Sequence, residues 1–265
     1  MMSRRSMLIS KRRKFIITSL VASLGFVAVQ FLISVNRFWA IGVLGALTLL
    51  LFIWSLWEGL GKNMTLVTLV LPVMFTLGVG FFWFLLPGSI LARIPIIAFY
   101  GIGIYVLCLT MNIFSVSATT KTIALMRAAR GVGFVLTLVT SFLVFDSILS
   151  LRAPIWVTTS FLSIASFPLF FQGFWVVELD TEFKKELAFL SFISAAVVGE
   201  IGAALYFWPV TVVTGSLFLT VVVYMLLGLT QARLEDRLFA STVREHLSVG
   251  ILVFIAIFFA THWGG

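Results

Sequence analysis

Nine stretches of about twenty predominantly apolar residues, separated by short polar segments, run along most of the chain. A helix needs roughly 20 such residues to cross about 30 Å of hydrocarbon. We therefore predict an all-α polytopic bundle of transmembrane helices with about nine spans, or eight if the last segment is re-entrant, in which residues 1–265 form a single integral membrane domain. The predicted spans are residues 15–34, 38–57, 64–86, 94–116, 131–149, 154–177, 187–208, 210–230 and 247–263.

Composition supports a membrane environment. Hydrophobic residues make up 61% of the 265 positions and charged residues 11%, whereas soluble domains carry about 25% charged residues. The net charge of +8 comes from basic residues in the short segments between spans. Such segments contact anionic lipid headgroups rather than nucleic acid.

The distribution of Lys and Arg predicts the orientation, because positively charged flanks resist translocation. With the N-terminus in the cytoplasm, 15 of the 18 basic residues lie on the inner side, and only Arg37, Arg93 and Arg152 lie outside. Residues 1–14 are then a basic cytoplasmic tail. The inner basic residues are Arg4, Arg5, Lys11, Arg12, Arg13, Lys14, Lys62, Lys121, Arg127, Arg130, Lys184, Lys185, Arg233, Arg237 and Arg244.

Motifs that carry chemistry are missing from the sequence. Cys108 is the only cysteine, so the sequence contains no intrachain disulfide, CxxC pair or Cys/His metal set. No glycine-rich phosphate cradle is found either. We therefore predict no catalytic residues, no metal site and no cofactor.

Three polar residues fall within predicted spans that run in the same direction. Glu200, Asp146 and Gln30 lie about thirteen to fifteen residues from the inner ends of their spans, so they could form one intramembrane polar layer. A carboxylate in hydrocarbon is costly, and we expect Glu200 to face other helices. The functional interpretation is a proton or cation relay; the alternatives are a hydrogen-bonded packing cluster or, for Asp146, a position near Arg152 at the interface.

The inner segment 117–130 carries Lys121, Arg127 and Arg130. These residues could contact phosphate groups of lipid headgroups or of a substrate, or serve only as topology anchors. If they act through charge alone, exchanging Arg127 and Arg130 for Lys should be nearly silent.

Two further patterns concern helix packing. Small residues recur every four positions at Ala195, Gly199 and Ala203, and again at Gly42 and Ala46, a spacing that lets two helices approach closely. The polar stretch 232–247 has an apolar repeat that is only partly amphipathic, so it predicts a helix along the inner interface before the last span.

The segment 100–149 resembles a family of uncharacterised multi-pass membrane proteins of candidate-phylum bacteria. The resemblance rests on IYVLCLTMNIFSV, TIALMRAARGVGF and TSFLVFDSILS within that segment. It implies a bacterial inner (plasma) membrane protein, and it supplies no catalytic residues.

Three classes of function are compatible with these patterns. The favoured one is a non-enzymatic scaffold or subunit of a cell-envelope assembly, with the lipid bilayer and a membrane protein as partners. The alternative is a carrier of small solutes or protons that uses Glu200. An intramembrane lipid-modifying enzyme would need clustered His, Asp or Glu near one interface, and the sequence has no such cluster.

Overall fold

A computed structural model describes residues 10–31, 36–60, 65–86, 90–117, 123–179 and 182–261. These residues form nine α-helices, and a 3₁₀ turn at Thr65–Leu69 leads directly into the third. The helices are α1 Lys11–Gln30, α2 Asn36–Leu56, α3 Val70–Trp83, α4 Ile90–Ser117, α5 Ile123–Ser150, α6 Ile155–Glu178, α7 Lys185–Tyr206, α8 Val212–Leu234 and α9 Ala240–Ala260.

Within the described residues, nine helices, counting α3 together with its 3₁₀ turn, are long and apolar enough to cross a membrane. The prediction of an all-α bundle of membrane-spanning length is therefore confirmed, and these helices indicate an integral membrane protein. The ninth helix begins at Ala240, seven residues before the predicted span. It is therefore long enough to cross a membrane, which the sequence alone had left open.

Successive helices run in opposite directions. Lys11 at the start of α1 pairs with Glu58, just beyond the end of α2, and Arg130 near the start of α5 bonds the oxygen of Val177 at the end of α6. We call the end of the bundle where α1 begins the proximal end, and the opposite end the distal end.

The buried side chains form two hydrophobic clusters that share α5 and α6. The first is built mainly by α1 to α4 around Phe26, Phe75 and Tyr100. The second is built by α5 to α8 around Phe145 and Phe174. Because α5 packs against α3, α4, α6 and α8, it joins the two clusters into one bundle.

The last helix is peripheral. Among the described helices α9 packs mainly against α8, and only Gly250 and Ile257 of its residues are buried. The contact with α8 includes the His246 ring stacked on Tyr224, with ring centroids 4.9 Å apart. Most of α9 therefore faces the surroundings of the bundle.

Two boundaries differ from the sequence prediction. The stretch 232–247 is not a separate interfacial helix: it comprises the end of α8, a turn and the first two turns of α9. The break occurs because Asp236 has a positive φ of 55°, a left-handed conformation that ends a helix. Likewise, Lys11 to Lys14 belong to the first turn of α1 rather than to a tail.

Ion pairs lie at the proximal end. Glu58 pairs with Lys11 at 3.0 Å and with Lys14 at 3.5 Å, which ties α1 to the segment after α2. The hydrogen bond from Lys11 lowers the pKa of Glu58, partial desolvation opposes this effect, and the charges of Lys11 and Lys14 lower the pKa further. The carboxylate is half exposed, so solvent screens the pair strongly.

We expect a small pH-dependent loosening of the first turn of α1. Because the pKa of Glu58 is lower in the folded protein, its contribution is present above the ordinary glutamate pKa and is lost as the pH falls through the lowered value. Hydrogen-exchange protection factors for Lys14 and its neighbours should fall over that range. The Glu58→Gln protein should have the lower protection above that pH range and similar protection below it; equal pH dependence in both proteins would contradict the assignment.

Candidate functional site

Glu200 does not face the interior of the bundle. It lies on the exposed face of α7, while its neighbour Gly199 is buried against α6. The expectation that Glu200 packs against other helices of this chain is therefore wrong. The physical reason is helix geometry. The small, buried residues of α7 that face α6 are Ala195, Gly199 and Gly202. Glu200 follows Gly199 and is rotated by about 100° around the helix axis, so it points away from α6.

Asp146 is buried, with 4% of its surface exposed. Its Oδ1 accepts a hydrogen bond of 3.1 Å from the Ser216 hydroxyl, which joins α5 to α8 near the distal end. Arg152 is exposed in the turn after α5, and Asp146 forms no ion pair within the described part of the chain. Asp146 thus connects two helices.

Gln30 is the last residue of α1 and is also buried, and its Nε2 has no hydrogen-bond partner among the described residues. Helix α1 packs mainly on α2 and α4, whereas α7 packs mainly on α6 and α8. Gln30, Asp146 and Glu200 therefore do not gather into the single polar layer that the sequence predicted. Similar distances from the inner ends of the predicted spans did not bring these residues together, because their helices are not neighbours.

Five exposed residues of α7 lie on one surface, which we call the Glu200 face. Its members are Phe189, Phe192, Ile193, Glu200 and Ala204. They recur at intervals of three, four and seven residues and so lie on one side of a helix.

Small residues flank the carboxylate on the Glu200 face. Ala196 and Ala204 lie one turn before and one turn after Glu200, and Ala196 is half-buried. Small residues at these positions let a second helix come close to the backbone. Glu200 lies six residues before the end of α7, about 9 Å along the helix from the distal end.

The three predicted phosphate contacts have different positions. Lys121 lies outside the described residues. Arg127 is exposed near the start of α5 and can contact headgroups. Arg130 is half-buried and is held within the protein: its Nη1 donates to Glu235 Oε1 and its Nη2 donates to the Val177 carbonyl oxygen, both at 2.6 Å.

Arg130 therefore joins the proximal ends of α5, α6 and α8. A third hydrogen bond reinforces the same junction, since Gln231 Nε2 donates to the Gly173 oxygen at 2.9 Å. Two guanidinium nitrogens of Arg130 thus bind acceptors within the protein, and its Nε has no partner among the described residues. The two contacts depend on the planar guanidinium and not on charge alone. That Arg127 and Arg130 contact phosphate groups stays a prediction.

A buried hydroxyl cluster was missed by the sequence analysis. The hydroxyls of Thr48, Thr76 and Tyr100 lie within 3.1 to 3.4 Å of one another between α2, α3 and α4. The sequence shows two threonines and a tyrosine within predicted spans. The periodicity of each span does not indicate that these three side chains contact one another. The cluster satisfies buried hydroxyls and so stabilises the first hydrophobic cluster.

Chemistry-bearing clusters are not found among the described residues. No three or more His, Cys, Asp or Glu side chains in that part of the chain are placed to hold a metal ion. The notable feature is instead an ionisable side chain on an outward-facing surface of an apolar helix.

Comparison with known proteins identifies a family. A family model with the description "Protein of unknown function (DUF5656)" matches residues 18–260. No curated protein and no solved structure matches the chain. The matched region extends from α1 to the end of α9 and is much longer than the segment 100–149 on which the resemblance was based.

Proposed function

Since the chain belongs to DUF5656, a family of unknown function, its role has to be inferred from its own geometry, and we propose that it is a non-enzymatic subunit of a membrane assembly. In this proposal the Glu200 face of α7 binds a transmembrane helix of a different protein. The observation that carries the proposal is Glu200, an exposed carboxylate within an apolar helix.

The energetic reason is the cost of a charge in hydrocarbon. An acidic side chain costs about 2.5–3.5 kcal/mol at the middle of a span and less towards its ends. Glutamate lacks the long stem with which Lys and Arg reach the interface. A partner that supplies a cation or a hydrogen-bond donor offsets this cost. The small neighbours Ala196 and Ala204 allow the close approach that such a bond needs.

Charge complementarity favours a different protein over a second copy. Among the described helices, the Arg residues at the distal end lie within the first four residues of α2 and α4, closer to the helix end than Glu200 lies. A second copy paired symmetrically through the same face would bring Glu200 against Glu200 or against the apolar residues of that face, and like charges at close range repel. We infer a partner helix that carries a cationic side chain at the depth of Glu200.

The carrier alternative has less support. It required a polar pathway that includes Glu200, yet the described cavities are not lined by Glu200, and Asp146 and Gln30 lie in other parts of the bundle. The carrier function stays a prediction.

The location in the inner membrane and the cytoplasmic N-terminus also stay predictions. With the N-terminus in the cytoplasm, the exposed Arg127 contacts anionic headgroups on the cytoplasmic side.

Site-specific crosslinking in native membranes tests the proposal. Cys108 is buried, so Ala204→Cys supplies an accessible thiol for a photoreactive maleimide on the Glu200 face. We expect one discrete crosslinked protein product. Adding Glu200→Gln or Glu200→Leu should lower its yield by about tenfold or more, since truncating one member of a buried charge pair costs roughly 2–5 kcal/mol. Glu200→Asp, which keeps the charge, should retain most of it.

The matched control is Ala46→Cys, which places the same probe at an exposed alanine on α2. That probe should label lipid and give no such product. The proposal fails if Ala204→Cys labels only lipid, if both positions give the same product, or if Glu200→Leu leaves the yield unchanged. A product of twice the mass of the chain would show a second copy on this face and would contradict the charge argument.

A further inference from the structure

A cleft of about 680 Å³ opens at the distal end between α2, α3, α5 and α6, away from the Glu200 face. This volume lies within the range of about 300–1,000 Å³ found for ligand sites. The lining residues that the argument uses are Arg37, Phe84, Met74, Leu85, Ile164 and Pro168.

The cleft is apolar and reaches the outside of the bundle. Apart from Arg37 and two serines, the lining side chains are hydrophobic. Several of them, including Leu85 and Ile164, are well exposed. The cleft therefore faces the hydrocarbon that surrounds the protein, so an apolar ligand can enter it from the side.

Arg37 places a positive charge at the distal mouth of this cleft, since it is the second residue of α2. Its guanidinium carbon lies 5.2 Å from the ring centroid of Phe38 and 4.9 Å from that of Phe84, and these contacts hold it over the opening. Its Nε is buried and has no hydrogen-bond partner among the described residues. An acceptor is thus needed where the cleft meets the interface, and an anionic one would also satisfy the charge.

The cleft is deep enough for a lipid chain. Pro168, at its inner limit, lies thirteen residues after the first residue of α6, about 20 Å along the helix. An extended acyl chain can therefore lie along the cleft from the distal mouth inward.

We propose that this cleft binds an anionic phospholipid. The phosphate accepts hydrogen bonds from Arg37, and an acyl chain lies along the groove between α3 and α6 towards Met74 and Pro168. We assign a lipid as the ligand because the positive charge of Arg37 lies at one end of a long apolar site. A free phosphate would leave that apolar surface without a contact.

Lipid binding to the delipidated full chain in detergent, followed by native mass spectrometry, tests this site. Phosphatidylglycerol should bind more tightly than phosphatidylcholine, and inorganic phosphate in large excess should not displace it. Arg37→Gln should weaken phosphatidylglycerol binding about fivefold, the effect of one basic side chain at a lipid surface. Ile164→Trp, which fills the cleft from an exposed position, should weaken both lipids.

Each variant has a matched control at a site that does not line the cleft. Arg93 also lies at the distal end, and its buried Nε has no hydrogen-bond partner among the described residues. Its guanidinium carbon lies 5.1 Å from the ring centroid of Phe31. Ile102 is 65% exposed, close to the 67% of Ile164. Arg93→Gln and Ile102→Trp should leave binding unchanged. Equal losses in variant and control, no loss in Ile164→Trp, or displacement by inorganic phosphate would overturn the proposal.

Discussion

Replacing Gly199 by leucine is expected to separate α6 from α7 and to give the largest loss of stability of the substitutions considered for this protein. A Cβ at Gly199 would overlap the Ser163 hydroxyl and lie 3.2 Å from the backbone oxygen of Thr159. The serine can rotate, but the backbone of α6 cannot yield without moving the helix. Overpacking of this kind costs about 1–3 kcal/mol and occasionally more, and a leucine adds three further carbons to the clash.

The measurement is thermal unfolding of the purified protein, followed by circular dichroism. A loss of about 3 kcal/mol corresponds to a decrease in Tm on the order of 5–10 °C. Gly42→Leu is the matched control, because Gly42 is exposed on α2 and a Cβ there meets no atom within 4 Å. The control should keep the original Tm or raise it slightly, since leucine favours helix over glycine. Similar decreases in both variants would show that Gly199 does not set the helix spacing.

The comparison of Gly199 with Gly42 shows what small-residue spacing predicts. Both belong to a small-x-x-x-small pattern, but only the pattern of α7 lies at a close helix contact. Spacing identifies residues that permit close approach and does not reveal whether a neighbour is present. Neighbours depend on how the described helices pack against one another, and local sequence does not encode that arrangement.

The number and type of helices followed from composition because one physical requirement decides them. A segment that crosses hydrocarbon must form its backbone hydrogen bonds internally, so an apolar run of sufficient length becomes a helix. The ends were less predictable. Residues 232–247 look continuous in helix propensity, yet the left-handed conformation of Asp236 separates α8 from α9.

The candidate sites were predicted only in part for a similar reason. Asp146 and Glu200 were both identified from their charge within apolar runs, but one is buried and the other exposed. Burial depends on which face meets a neighbour. In the sequence, Arg37 was identified only as one of three basic residues on the outer side. Its role at the cleft could not be predicted without the positions of α3, α5 and α6.

Truncation of Arg130 is the second large effect that we expect. Arg130→Ala removes both hydrogen bonds that join α5 to α6 and α8 and leaves the Glu235 carboxylate with only the weaker contact to Arg237 at 3.7 Å. Hydrogen bonds to charged groups contribute about 1.5–3 kcal/mol each. Because both side chains of the pair are roughly one-third exposed, screening reduces the total, and we expect a loss of about 2–3 kcal/mol.

Arg130→Lys separates geometry from charge at the same position. A lysine ammonium can reach Glu235 or the Val177 oxygen but does not reproduce the planar fork that contacts both, so this variant should lose about half as much stability as Arg130→Ala. Arg127→Ala, an exposed arginine three residues earlier, should change stability by no more than about 0.5 kcal/mol. In a double-mutant cycle with Glu235→Ala, the coupling energy should reach about 1 kcal/mol. A coupling near zero, with Arg130→Ala still destabilising, would assign the effect to the Val177 bond and to packing, and would show that the ion pair at this junction contributes little.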